Sequence, residues 1–331
     1  MKVAELRNLL GEAEKEPVAK AFVEVYKLLP KSRKEEIDDT ITAILSGQDV
    51  DKKDKNEAVD FDQLEQTIQF FLENAYAQNY FAPNRIIPKA QRPKWRFLVK
   101  NYIKELQKIP PESPYHARSV TLFRDLYRML CYGCNCYIFS TDDPFRSVGW
   151  DQPELFHVLV KKTFAQGYPK ESVRMLLFDA CGGGLSRECL HISNMAVLLS
   201  ELKTSDVKYL AIEAAQELVN EIKEKYPVKK GQRGRQYEAQ ERINCLSGMV
   251  LMLSVLLAEP DDGIKYFFAN CEEPTSEIVL YCALDFTDYV GNNQDWIRVY
   301  EYGLKKKIKP REELVKEYEE RKKEADSPQE S

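Results

Sequence analysis

The chain has 331 residues, 44% apolar and 31% charged, a balance that supports a packed core and excludes a disordered or fibrous chain. Fourteen glycines and sixteen prolines are few for a loop-rich or repetitive β architecture. The formal net charge is −5, so any contact with nucleic acid has to come from a local basic patch.

The most apolar stretch, Met249 to Ala258, is interrupted by Ser254 and is shorter than the roughly 20 residues of a membrane span. The opening MKVAELRNLLGEAEKE carries acids throughout and has no apolar export core, and eight cysteines without one read as reduced thiols. The expectation is a cytoplasmic protein with no membrane contact.

Helical spacing dominates from the start. Val18, Phe22, Val25 and Leu28 share one stripe behind Pro17, and Ile37, Ile41, Ile44 and Leu45 form a second. Residues 48–60 are too polar to bury and read as a solvated loop. Phe61, Leu64, Ile68 and Phe71 resume the period, Pro83, Pro88 and Pro93 break it, and a helix follows over 95–109. In that helix Leu98, Tyr102 and Leu106 are expected to face inward.

Ser113-Pro114 and Asp151 with Pro153 look like caps with first-turn prolines. The first opens a run through Leu122, Leu126 and Leu130; the second leads through Leu155 and Leu159 to a stop at Gly167. Pro169 opens a helix ending at Gly182-Gly183-Gly184, and helices are expected over 185–202 and 205–226. Residues 227–234 are the best linker, which suggests a helical domain over 1–228 and a helical-hairpin region over 229–331, the two packed separately or as one unit. Further helices are expected over 236–258, 262–270, 275–289, 294–306 and 310–324. The spacing therefore predicts an all-α protein of about fourteen helices, either an irregular bundle or a solenoid-like stack of hairpins. Asn293-Gln294-Asp295-Trp296 resembles one tetratricopeptide corner, but Gly303 and Lys306 depart from that repeat.

No GxxxxGK[ST], HExxH or GxSxG occurs, which removes the common phosphate loop, zinc protease and hydrolase elbow. The acids from Asp49 approach calcium-loop spacing, but Lys53 takes a ligand position and Asp54 the place of the turn glycine. Cys131, Cys134 and Cys136, with Cys181, Cys189 and His191, are the only soft-ligand groups dense enough to consider for zinc. Their spacing lacks finger-like turns, so core packing is the expectation, with no metal and no cofactor.

The turn from Cys181 to Cys189 has three uses. Foremost is a close corner between helices. It can also be an anion site built on Gly183 and Arg187, or an enzyme site at 182–184 with a cysteine nucleophile and His191 as base. The sharpest charge feature is 84–104, where Arg85, Lys89, Arg92, Lys94, Arg96, Lys100 and Lys104 occur with no acid and with Trp95, Phe97 and Tyr102 between them. Such a segment can contact phosphates while its aromatics stack, or form an ordinary basic solvent face. A second basic run, from Lys229 to Arg235, occupies the linker.

Residues 4–37, PKAQRPKWRFLVKNYIKEL at 88–106, YGCN at 132–135 and GGGLSRECLH at 182–191 together resemble a bacterial family of small helical proteins, a domain of unknown function. The resemblance covers roughly residues 1–205. It implies an all-helical fold and carries no activity with it. The family has Gly-Trp-Gly followed by His and Asp where this chain has Gly182 to Gly184, Leu185 and Ser186, and Cys134 replaces a usual apolar residue. The resulting expectation is a nonenzymatic scaffold with a protein partner, ahead of a nucleic-acid role for 84–104 and of an enzyme at 182–184.

Overall fold

The computed structural model describes residues 3–29, 34, 38, 41, 42, 45, 60–81, 86–228, 234 and 236–326. Among them are fifteen α-helices and no strand, so the protein is an all-α multi-helix bundle. Arg85, the polar loop at 48–60 apart from Asp60, most of the stripe from Ile37 to Leu45 and most of the run at 229–235 lie outside the described residues. The chain divides into two compact units, Met1–Asp60 and Phe61–Ser331.

The first unit contains α1 (Val3–Glu12) and α2 (Lys15–Leu28). The stripe of α2 forms as its spacing dictates, yet Phe22, Val25 and Leu28 remain exposed. Periodicity, not burial, made this helix.

The second unit begins with α3 (Phe61–Tyr76), which packs on α5 (His116–Asn135) through Phe61, Leu64, Ile68 and Phe71. A 3₁₀ turn, Arg92–Lys94, leads into α4 (Trp95–Gln107). The buried face of α4 is Trp95, Val99, Tyr102, Ile103 and Leu106; Leu98, expected inside, is 38% exposed. Trp95 sets this phase by stacking on Phe139 at 3.7 Å between ring centroids. Ser113 accepts a hydrogen bond from the Tyr115 N–H within the preceding turn, so α5 begins two residues later than its sequence cap suggests.

A short unexpected helix, α6 (Pro144–Val148), is capped by the Asp143 carboxylate and closed by Gly149 at φ 67°. The chain continues through α7 (Gln152–Phe164) and α8 (Lys170–Ala180) to α9 (His191–Glu201). A helix was expected from residue 185, but 181–190 form a turn instead. Gln152, buried in α7, takes the place of the helical partners: its amide donates to the Gly184 carbonyl at 3.1 Å and accepts from the Ser186 N–H at 2.7 Å. The Arg187 N–H is directed to the Asp143 carboxylate, at 3.3 Å.

Thr204 caps α10 (Ser205–Lys225), followed by α11 (Tyr237–Leu256), α12 (Pro260–Asn270), α13 (Ser276–Val290), α14 (Asn293–Lys305) and α15 (Glu312–Asp326). Each of these packs on its neighbour in the chain. From Cys245 to Val255 every residue of α11 is buried, as expected for a helix apolar all round. It separates two cores, contributing Met249, Val250, Met252 and Leu253 to one and Leu251 and Val255 to the other. The junction considered at 228/229 lies inside the second unit, between α10 and α11, and those two helices pack along each other.

Candidate functional site

A cleft of about 730 Å³ opens between α5, α8, the triple-glycine turn and the first turns of α11. A second cavity of about 650 Å³ adjoins it and shares Phe178, Glu238 and Arg242 with it. Volumes of this order suit a small ligand or an inserted side-chain cluster.

Arg242 divides the two. Its guanidinium lies 3.6 Å from the centroid of the Phe178 ring and donates to the Phe178 carbonyl at 3.0 Å. Gly182 makes room for it, since a Cβ there would come within 2.8 Å of Arg242 Nε and closer still to Cζ and Nη2. Burial lowers the Arg242 pKa, which the nearby Asp179 and Glu238 partly offset.

Gly183 has φ 93°, a backbone region that favours glycine, and Gly184 presses against the Cys131 carbonyl of α5 with no space for a side chain. The turn is thus a packing corner that also forms one wall of the cleft. Asp179 anchors the opposite side by accepting from Arg124 and lying 3.7 Å from Arg128. Asp125, also in the wall, has its carboxyl raised first by burial, against the pull of Arg124 and Arg128. His191 pairs with Glu241 at 2.8 Å. Tyr76, Tyr132 and Tyr237 are exposed along the same cleft, the first two with ring centroids 5.4 Å apart.

Arg187, expected beside the glycines, points elsewhere and pairs with Asp142. It does not line the cleft; Arg242, distant in sequence, occupies the position envisaged for it. One sequence signal marks Arg242: it falls three residues after Ala239 and four before Leu246, in line with the buried stripe of its helix.

The thiols are set for packing. Cys131 and Cys181 are buried and raised by desolvation, and burial pushes Cys134 up to about 12 and Cys189 up to about 11. The Cys189 thiol contacts the Leu190 carbonyl, while His191 is engaged by Glu241, so no thiol–imidazole pair forms. Cys131 receives the Gln152 amide at 3.4 Å, Cys134 and Cys136 are half-buried, and no group of three metal-ligating side chains occurs among the described residues.

The basic segment stands apart from the glycine cleft. Lys89, Lys94, Arg96, Lys100 and Lys104 are exposed and form no ion pair among the described residues. Arg92 is half-buried and donates through Nε to the Ile87 carbonyl at 2.8 Å. Trp95 is core, whereas Phe97 is 59% exposed beneath the Arg96 guanidinium. Comparison with protein-family models, curated proteins and solved structures finds no match to this chain.

Proposed function

We propose that the protein is a nonenzymatic helical interaction module of the cytoplasm, and that the cleft between α5, α8 and α11 receives a polar segment of a partner protein. The observation that carries this reading is the composition of the cleft: exposed Tyr76, Tyr132 and Tyr237 around Arg128 and a semi-buried Arg242, on a wall formed by glycines. Tyrosine and arginine are the side chains that most often anchor protein contacts, because they combine large area with directed polar groups. Buried, protonated thiols support binding over covalent chemistry at the turn. No helix among the described residues is long and apolar enough to cross a membrane, which is compatible with a cytoplasmic role.

The test is affinity isolation from native cells, wild type against a variant carrying Tyr76→Ala, Tyr132→Ala and Tyr237→Ala. These rings are exposed, so folding should be retained, as checked by circular dichroism and urea unfolding. A protein recovered stoichiometrically with the wild type and lost from the variant supports the cleft as the docking site. Equal recovery by both removes it.

A further inference from the structure

The solvent face of α4 carries groups that the packing of the bundle does not use. Trp95, Val99, Tyr102, Ile103 and Leu106 turn inward. At about 100° per residue, the opposite side of the helix is centred on Phe97, with Lys100, Asn101 and Lys104 at three-, four- and seven-residue steps from it. All four are exposed. The row from Phe97 to Lys104 is about 10 Å long. Arg96 flanks it, and Lys89 and Lys94 precede it in the chain.

The charge on this face is uncompensated. None of Lys89, Lys94, Arg96, Lys100 and Lys104 forms an ion pair among the described residues. The one acid of α4, Glu105, is held by Lys108 at 2.7 Å. By contrast, exposed Arg118 pairs with Asp62 and Glu65, and exposed Lys170 with Glu213 and Glu217. Like charges one helical turn apart repel each other, so an anion lying along the row relieves a cost already present. The ring of Phe97 is 59% exposed; the Arg96 guanidinium lies 5.1 Å from its centroid and leaves the rest of the ring open.

We infer that this face binds single-stranded RNA, with a base stacked on Phe97 and phosphates at Lys100 and Lys104. An open aromatic ring beside a row of cations is the pairing that single strands need, since every base offers a π-face and every link a charge. A paired duplex keeps its bases stacked and would leave the ring unused, whereas RNA loops and ends present unpaired bases. A bilayer fits less well. The apolar face of α4 is turned into the core, so an anionic membrane would receive little more than Phe97, with Leu98 on its flank. The face shares no residue with the cleft between α5, α8 and α11 and does not depend on the partner-binding reading.

Fluorescence anisotropy of the full chain with a labelled oligouridine, at about 50 and 200 mM salt, tests it. Three variants are compared: Phe97→Ala, Lys100→Gln with Lys104→Gln, and a control, Lys161→Gln with Lys316→Gln, two exposed cations on α7 and α15. The altered side chains are all exposed, and urea midpoints verify that each variant is folded. The expected result is saturable binding, weakened roughly fivefold or more by Phe97→Ala. Lys100→Gln with Lys104→Gln should weaken it as well and flatten the slope of log affinity against log salt by about 1.4. The control should bind as the wild type does. Absence of saturable binding overturns the inference, as does equal weakening by the control. Loss with the Lys100 and Lys104 pair but not with Phe97→Ala overturns it in favour of contact by charge alone. Polyglutamate or phosphatidylserine vesicles bound as tightly as oligouridine would also overturn it, in favour of an acidic protein or a membrane surface.

Discussion

The three consecutive glycines meet three different obstacles, and alanine at each should destabilise the protein for a different reason. At Gly184 a Cβ would overlap the Cys131 carbonyl, with Asn135 Oδ1 and Cys134 Cβ each 3.0 Å away. The obstacle is the backbone of a packed helix near its C-terminal end, so relief requires moving the turn. Moving it strains the two Gln152 bonds to Gly184 and Ser186. Overpacking of about 1–3 kcal/mol, with about 1 kcal/mol for weakened buried hydrogen bonds, puts Gly184→Ala near 3 kcal/mol. At Gly183 the nearest atom is a comfortable 3.5 Å away, and only φ 93° resists, at about 1–2 kcal/mol. At Gly182 the obstacle is the tip of Arg242, which can swing aside after losing its Phe178 contacts, at about 1 kcal/mol. Urea unfolding of the three variants should therefore rank Gly184→Ala as the most destabilised. The cost of Gly182→Ala should also largely vanish in an Arg242→Ala background, because the obstacle is gone. A Gly184→Ala variant within about 0.5 kcal/mol of wild type, the scatter of an ordinary surface substitution, would refute the packing-corner argument.

Two further outcomes follow from burial and charge. Cys131, Cys181, Cys189 and Cys245 are buried with raised thiol pKa, so iodoacetamide near pH 8 should leave these four unmodified in the native protein and label them in urea, read by peptide mass spectrometry. Rapid native labelling of Cys181 would show that the glycine turn opens. The Glu201 carboxyl is held below its usual range, first by the hydrogen bond from His157 at 2.8 Å. Because its folded-state pKa lies below the unfolded one, it adds stability above the ordinary carboxylate pKa, and that contribution is lost as pH falls through the folded value. Glu201→Gln should accordingly flatten the acid limb of stability against pH; an identical acid limb in the variant would contradict the assigned cause.

Most of the helices were legible in the sequence, because the 3.6-residue period and the proline and glycine stops are local properties of the chain. Asp151 with Pro153 at the start of α7 acts through neighbours a few residues away, and local patterns of this kind can be read in one dimension. The basic character of 92–104 was equally legible, since charge needs no fold to be counted. Tertiary structure alone decided where those groups point. Trp95 in its stack with Phe139 turned α4 so that Leu98 faces solvent, and Gln152 drew residues 184–186 out of a helix by offering its amide to their backbone. Asp142 took Arg187 away from the glycines, while Arg242, carried in on α11, filled the cleft from the other side. The cleft gathers residues from separate helices and loops, and such a meeting depends on side-chain packing between elements distant along the chain. A periodicity shows which face of a helix is apolar; only the partner helix decides what that face touches.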